Sequence, residues 1–250
     1  MKLSIVVCAY NECDTIEIVL DQIQQVDLGA GWSKEVIAVD NMSTDGTREI
    51  LARRTWPDTR VIFNERNLGK GGSIRAAIDV FTGDYFVIQD ADLEYHPNQL
   101  VRLVQAVQEY DAVAVLGSRV LDGDARYHYW HAYLGVRVLS WLTNFLYGSH
   151  LTDVATAIKL VRADVLRQLN LVGSGFDLDF EIVNKLLLAG YSIHEVGLDY
   201  HPRTYAEGKK IRVRDGLHGM WIIVRDRLGL TDVLRPHVES QAERTRGGGD

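Results

Sequence analysis

Asp90, Asp92 and Glu94 stand at alternate positions in the stretch Gln89-Asp90-Ala91-Asp92-Leu93-Glu94-Tyr95-His96-Pro97. Carboxylates are hard oxygen ligands suited to Mg²⁺ or Mn²⁺. Such ions are usually held by one or two carboxylates plus the phosphates of a substrate. The apolar run Tyr85-Phe86-Val87-Ile88 precedes the acids, behind the turn signal Gly83-Asp84. Pro97 then opens a helical pattern of Leu100, Leu103, Val104 and Val107. The acids therefore leave the carboxyl end of a buried strand, where open α/β sheets bind their ligands. In extended chain, alternate residues point the same way, which would gather all three on one side. The bland alternative is a solvated acidic loop capping the next helix. What the other elements bring to the same edge decides between the two.

Those elements repeat one pattern. Leu3 to Ala9, Glu35 to Val39, Arg60 to Phe63, Tyr85 to Ile88 and Ala112 to Leu116 read as strands. Helical patterns separate them, the first carrying Ile16, Val19, Leu20 and Ile23 behind Asp14 as a cap. Such alternation predicts an α/β fold, a mostly parallel sheet with helices on both faces. The polar loops fall at strand carboxyl ends and so converge on one rim. Tyr10-Asn11-Glu12 follows the first strand, and Asp40 to Thr47 the second, where an Asx-turn with a helix cap is the plain reading. Asn64 to Gly72 follows the third; Gly69, Gly71 and Gly72 would let backbone approach a phosphate, with Lys70 and Arg66 to pair with its charge. Walker spacing is absent, and so is G-x-G-x-x-G in the first βα turn, which argues against a P-loop enzyme and a dinucleotide dehydrogenase.

The 250 residues are 46% hydrophobic and 24% charged, an ordinary soluble composition for one large domain or a domain with an appendage. A net charge of -7 argues against general nucleic-acid binding. The only cysteines, Cys8 and Cys13, make no disulfide framework, which suits a reducing compartment. Leu3 to Ala9 reads as a first strand and not a signal peptide, and no stretch approaches the roughly 18 apolar residues of a spanning helix.

Ala9-Tyr10-Asn11-Glu12, Asp40-Asn41-x-Ser43-x-Asp45-Gly46-Thr47, Asn67-x-Gly69-x-Gly71-Gly72 and Gln89-Asp90-Ala91-Asp92 together resemble the family 2 glycosyltransferases of GT-A, Rossmann-like fold. Gln89 to Tyr95, Gly117-Ser118-Arg119 and Tyr205-x-Glu207-Gly208-Lys209-Lys210-Ile211 are similar to its polyprenyl-phosphate (dolichol-phosphate type) hexosyltransferase branch. The resemblance spans about residues 3 to 215. It implies a metal-dependent, inverting transfer of a hexose from a nucleotide-diphosphate sugar, of GDP-mannose or UDP-glucose type, to a polyprenyl phosphate at the cytoplasmic membrane face. Tyr10, Asn11 and Glu12 would line the nucleotide pocket, and Asp40 would contact base or ribose. Ala9, Asn41, Ser43, Asn67, Gly69, Lys70, Gly71, Ala91 and Lys209 fall in the same donor-binding motifs. Mg²⁺ or Mn²⁺ would be held through Asp92 and Glu94, with Asp90 near the ion or the ribose. Arg119 and Arg203 would face donor or acceptor phosphates. The family usually has a second Asp where Asn41 stands and often Pro where Ala9 stands, so recognition of base or ribose is expected to differ.

The resemblance divides the domain, residues 1–230, into a nucleotide-sugar half (1–120), an acceptor-side half (121–211) and an amphipathic helix (212–230). Thr231 to Asp250 loses periodicity and is expected to be a mobile tail. Leu134, Val138, Trp141, Leu142 and Phe145 make one helical stripe, either a packed core helix or a lip touching lipid. Thr156 to Val161 and Ser192 to Leu198 read as further strands. Val213, Leu217, Met220, Trp221, Val224 and Leu228 form an apolar helix face flanked by arginines, either packed on the domain or lying in a membrane interface. The segment Asp199 to Ile211 resembles a basic lid that closes over the diphosphate and excludes water.

Asp153 is an acceptor-side candidate, and Asp179 and Glu181 are the candidates for a catalytic base; each has a plainer reading as a helix-terminal acid. A hydroxyl acceptor needs such a base, whereas a phosphate acceptor is already anionic. Two readings therefore stay open beside the first: the same donor with a soluble hydroxyl acceptor, and, further off, a nucleotidyltransferase or non-catalytic sugar-nucleotide binder. A homo-oligomer is also left open.

Overall fold

The computed structural model describes residues 1–121, 130–203 and 213–230. Residues 127–129 of the aromatic stretch, the basic loop from 204 onward with Lys209, and the 231–250 tail lie outside the described residues. The described elements are β1 (Lys2–Ala9), α1 (Ile16–Gln25), β2 (Ser33–Asp40), α2 (Thr47–Arg53), β3 (Thr59–Phe63), α3 (Gly69–Ile78), β4 (Tyr85–Asp90), α4 (Leu100–Tyr110), β5 (Ala114–Ser118), α5 (Trp130–Tyr147), β6 (Lys159–Arg162), α6 (Ala163–Gln168), α7 (Asp177–Leu188), β7 (Ile193–Gly197) and α8 (Val213–Arg227).

The strands form one seven-stranded sheet in the order β3-β2-β1-β4-β6-β5-β7. β6 runs antiparallel to both its neighbours, and every other pairing is parallel. The expected strand at Thr156 begins later, at Lys159, because Thr156 turns its hydroxyl onto the Ile158 amide at 3.3 Å. Asp14 does not cap α1: Thr15 is the cap residue, without a side-chain bond, and the Glu12 carbonyl accepts the Thr15 and Ile16 amides.

Alternation along β1 feeds two cores. Leu3, Ile5 and Val7 pack with Ile16, Val19 and Leu20 of α1 and Leu100 and Leu103 of α4. Val6 packs on the other face with Ile37, Ile74 of α3 and Leu178 and Ile182 of α7. Each such side chain contributes about 1.5–3 kcal/mol when fully buried. A third cluster joins α5, α7 and α8 through Leu139, Phe180, Val183, Ile222 and Ile223.

The two late helices bear on the alternatives left open for their faces. On α8, Gly219, Ile222, Ile223 and Asp226 are buried, while Leu217, Trp221 and Leu228 stay exposed. A Cβ at Gly219 would lie 2.8 Å from Cε2 of Phe180, so only glycine allows this approach of α8 to α7 without a shift of the ring. Asp226 is held by Arg225 at 2.7 Å and by the Asn184 amide at 2.9 Å. On α5, Val136, Leu139, Ser140 and Thr143 face inward. Most of the expected stripe remains outside, with Trp141 64% and Phe145 72% exposed and their rings stacked 5.7 Å apart. Each stripe is split: Leu142 and Met220 pack against the third cluster, and the exposed members face outward. Among the described residues, no helix is long and apolar enough to cross a membrane.

Ile223→Ala is therefore expected to destabilise the fold by about 2–5 kcal/mol in denaturant unfolding, as cavities in a core do. Trp221→Ser, on the same helix, should stay within about 0.5 kcal/mol. Equal losses from the two would reverse this assignment of faces.

Candidate active site

The loops at the carboxyl ends of β1 and β2 are zipped together. The Asn11 amide N–H donates to Ser43 Oγ at 3.0 Å, and Asn11 Oδ1 accepts the Thr44 amide at 2.9 Å. Asn11 takes a positive φ of 55° to do so. Glu12 N–H donates to Thr47 Oγ1 at 2.9 Å. Asp45 forms the expected Asx-turn, accepting the Thr47 amide and hydroxyl at 3.0 and 2.6 Å. Burial alone would raise its carboxyl, but these bonds from Thr47 and that of the Cys13 amide hold it down at about 2. Tyr10 stays exposed beside the buried Ala9 and Glu12.

Asp40 is fully buried, its Oδ1 accepting the Ser43 amide at 3.2 Å and its Oδ2 facing Arg48 at 3.0 Å. Asn41 holds the next loop: its Oδ1 accepts Asn64 Nδ2 and the Leu68 amide, and its Nδ2 donates to Asn67 Oδ1 at 2.9 Å. Both hydrogen-bonding halves of the side chain are thus occupied by the fold. The departure from the family pattern at Asn41 bears first on loop geometry.

The glycines of that loop serve packing. A Cβ at Gly69 would lie 2.2 Å from the Ser174 carbonyl oxygen, and one at Gly71 2.6 Å from that of Gly173. They admit the backbone of 173–175, whose Ser174 carbonyl accepts the Gly72 amide at 3.1 Å. Glu181, fully buried, holds that same segment by accepting the Val172 and Gly173 amides, and pairs with Lys185 at 2.7 Å.

The acidic stretch departs from the extended form assumed for it. β4 ends at Asp90, and Leu93 turns left-handed at φ 62°. Asp90 consequently goes to one cation, while Asp92 and Glu94 share Arg203. Asp90 pairs with Lys70 at 2.9 Å. Asp92 pairs with Arg203 at 2.9 Å, and Arg203 also reaches Glu12 at 3.1 Å. Glu94 accepts the Tyr200 hydroxyl at 3.0 Å and the Arg203 amide at 2.8 Å. No three of the described carboxylate, histidine and cysteine side chains form a ready-made metal cage. The donor chemistry still fits a hard divalent cation. Burial, then the charges of Asp90 and Glu94, push the Asp92 carboxyl up to about 7 in spite of Arg203. Added positive charge would relieve that crowding. Arg203 Nε is itself buried with no hydrogen-bond partner among the described residues, a donor to which an anion could add an acceptor.

Lys70 also faces Asp179 at 3.4 Å, and Asp179 in turn accepts from the fully buried Lys159 at 3.1 Å. Burial would raise the Asp179 carboxyl, but Lys159 and Lys70 hold it below the usual range. Burial would lower the Lys70 ammonium, but Asp179 and Asp90 raise it. Burial drives Lys159 down, beyond what Asp179 restores. A third centre joins β5 to β7. Arg119 grips Asp153 in two bonds of 2.6 and 2.7 Å, and its own amide makes a third at 3.1 Å. Glu195 supports Asp153 through the Thr152 and Asp153 amides, and burial raises its carboxyl. Arg119 lies 5.4 Å from the Tyr200 ring, which connects this centre to Glu94.

The structure thus forms two sets of linked ion pairs, one joining Asp90, Lys70, Asp179 and Lys159 and one joining Glu12, Arg203 and Asp92, and sets Asp153 with Arg119 and Glu181 with Lys185 in separate ones. Sequence reasoning missed Lys159, Arg48, Glu195 and Tyr200. A lysine inside the apolar run Ala157-Ile158-Lys159-Leu160-Val161 was the one available signal.

Residues 4–169 match the model of "Glycosyl transferase family 2", and the chain belongs to that family: it is a glycosyltransferase. Over 92% of this chain and 100% of its own length, an undecaprenyl-phosphate mannosyltransferase of Micrococcus luteus is 29% identical. An undecaprenyl-phosphate 4-deoxy-4-formamido-L-arabinose transferase of Edwardsiella ictaluri is 28% identical over 66% of this chain, which spans only 50% of that protein. Glucosyl-3-phosphoglycerate synthase from Mycobacterium tuberculosis, solved with Mn²⁺, UDP and glucosyl-3-phosphoglycerate, superposes with a TM-score of 0.67 at 22% identity, covering 92% of this chain and 81% of that one. Mannosyl-3-phosphoglycerate synthase from Rubrobacter xylanophilus gives 0.67 at 17% identity, covering 97% and 80%. These neighbours fix the GT-A fold.

The Asp92 environment carries a pH signature. Its carboxyl is near 4 in unfolded chain, by the usual value of about 3.9, and about 7 when folded. The folded state binds that proton more tightly, so ionising Asp92 weakens the fold as pH rises through this window. Asp92→Asn removes the effect. Its thermal midpoint relative to the parent should climb from about pH 4 to about pH 7, with the lost Arg203 contact as a nearly constant offset. A difference that is flat across the window would contradict the assignment.

Proposed function

We propose that the chain transfers a hexose, with inversion, from a nucleotide-diphosphate sugar to a polyprenyl phosphate. One observation carries the choice of acceptor: the three acids named from the sequence as a base for a hydroxyl acceptor are all committed to ion pairs. Asp153 is gripped by Arg119, Asp179 stands between two lysines, and Glu181 is sealed with Lys185 under two backbone amides. Burial notwithstanding, Lys159 and Lys70 hold the Asp179 carboxyl below its usual range, which makes it a poor proton acceptor; the oxygens of Asp153 and Glu181 are taken up by Arg119, by Lys185 and by backbone amides. A phosphate monoester needs none, being largely dianionic above its second pKa of about 6. Its oxygen forms the new bond to the anomeric carbon as the bond to the donor diphosphate breaks, and no proton need move.

A divalent cation, Mg²⁺ or Mn²⁺, held by Asp92 and Glu94 with Asp90 beside it, would neutralise charge on the departing diphosphate. Lys70 and Arg203 stand on those same carboxylates and would turn to phosphate oxygens as the acids are engaged. Arg119 lies on the acceptor side, steadied by Asp153. The names of the Micrococcus luteus and Edwardsiella ictaluri relatives support a lipid-phosphate acceptor, and the neighbour solved with Mn²⁺ and UDP supports the donor class and the metal.

The outward stripes of α5 and α8 support docking at the cytoplasmic membrane face. α5 carries no acidic residue and one arginine, and shows Trp130, Leu134, Trp141 and Phe145 to the outside. α8 adds Leu217, Trp221 and Leu228. Aromatic side chains on helices flanked by arginines suit the headgroup region.

The test gives the purified chain Mn²⁺, GDP-mannose or UDP-glucose, and either a water-soluble short-chain polyprenyl phosphate or a panel of hydroxyl acceptors. Product is expected with the phosphate alone, at a rate that rises through about pH 6 with the acceptor's ionisation and then stays level. Transfer to a hydroxyl with none to the phosphate would overturn the reading. In flotation with phosphatidylglycerol vesicles, the double variant Trp141→Ser/Phe145→Ser should lose binding while turnover of the water-soluble acceptor is unchanged. Undiminished flotation would remove the docking face.

A further inference from the structure

We infer that Lys159 is a positioning residue for the donor diphosphate, acting through Asp179 on Lys70; the inference rests on the donor class proposed above. Lys159 lies on β6, paired in register with Leu116 of β5, where an aliphatic side chain would ordinarily pack. Its side chain is 0% exposed. A buried ammonium costs several kcal/mol in desolvation, and a well-packed hydrophobic residue commonly does as well or better for stability. Stability is therefore a weak reason for a lysine here.

Geometry supplies a stronger one. The Lys159 ammonium donates to the Thr156 carbonyl and to Asp179 Oδ1 at 3.1 Å. The other oxygen of Asp179 faces Lys70 at 3.4 Å, and Lys70 reaches Asp90 at 2.9 Å. Lys159, Asp179, Lys70 and Asp90 thus form a row of alternating charge, running from the interior of the sheet to its rim across β6, α7, α3 and β4. Two carboxylates compete for the single ammonium of Lys70, and the shorter contact is the one at the rim. Asp179 loosens its hold because Lys159 already balances half of the demand.

Without Lys159, the whole charge of Asp179 would fall on Lys70 and draw it inward. With it, Lys70 is held at the first turn of α3, where the helix N-terminus also favours anions. From there it can pass from Asp90 to a diphosphate oxygen. The fold keeps a cation at the rim by supplying a second one in the interior.

The experiment compares the parent, Lys159→Met and Lys159→Met/Asp179→Asn by calorimetry with GDP and with UDP, each with and without Mn²⁺, and by donor kinetics. Lys159→Met should weaken nucleotide diphosphate binding and raise the donor KM about tenfold, with kcat changed far less, the pattern of lost ground-state binding. The double variant removes the charge that pulls Lys70 inward and should recover most of that affinity. A purely structural lysine would lower the melting temperature without a selective change in KM and without recovery in the double variant. Unchanged affinity in the single variant, or no recovery in the double, overturns the inference. Should Lys159→Met fail to fold, Lys159→Gln and Lys159→Gln/Asp179→Asn make the same comparison, with the same loss and recovery expected. A parent chain that binds neither GDP nor UDP would instead overturn the donor class itself.

Discussion

Crowded negative charge at the carboxyl end of β4 is the constraint on which the rest of the site depends. Glu12, Asp90, Asp92 and Glu94 meet there at low exposure, and isolated carboxylates cannot stay ionised together in such a place. The chain answers with Lys70 from α3 and Arg203, which lies 111 residues beyond the Asp92 it pairs with. Much of the loop architecture serves to deliver those two cations. Asn41 fixes the turn that carries Lys70, Gly69 and Gly71 let it settle on residues 173–175, and Glu181 holds that segment from below. Glu94 and Tyr200 anchor the backbone from which Arg203 projects.

How much of this was legible in the sequence follows from the range of the forces involved. Strands announce themselves by local apolar runs, so β1 to β4 and the rim loops could be placed from sequence. Partner choice is not local. The alternation of Asp90, Asp92 and Glu94 suggested one shared side, but a left-handed Leu93 breaks the extension on which that argument rests. The glycines at 69 and 71 advertised a close approach, without saying that the backbone of residues 173–175 would make one. Lys159 was visible as a charge within an apolar run, yet only the placement of Asp179 against it gives that charge a purpose.

The late helices show a different limit. Periodicity located an apolar face on each without saying whether it packs or stays outside, and on each the structure buries only part of that face. α8 has two apolar sides, Leu217-Trp221-Leu228 and Ile222-Ile223, and intrinsic patterning cannot rank them. The close approach at Gly219 and the buried Asp226 select the second. The outward stripe then needs its own explanation, which the proposed lipid acceptor provides.

Ion pairs that fill a site before its substrate arrives determine what that site can accept cheaply. A neutral hydroxyl would have to find a free carboxylate among Asp153, Asp179 and Glu181, and extracting one leaves a cation buried without its partner, a loss of several kcal/mol. Anionic groups face no such barrier. A diphosphate or phosphate oxygen can replace Asp90 on Lys70, or Asp92 on Arg203, one charged acceptor for another. The displaced carboxylate is then available to a divalent cation, so that every buried charge keeps a partner throughout the exchange. Such an exchange makes binding of donor and metal mutually dependent, because each supplies what the other's arrival removes. The buried Nε of Arg203, without a partner among the described residues, fits that view, since it can gain an acceptor when an anion enters without giving one up. A rim neutralised in this manner is suited to a transfer whose two substrates both arrive as phosphates.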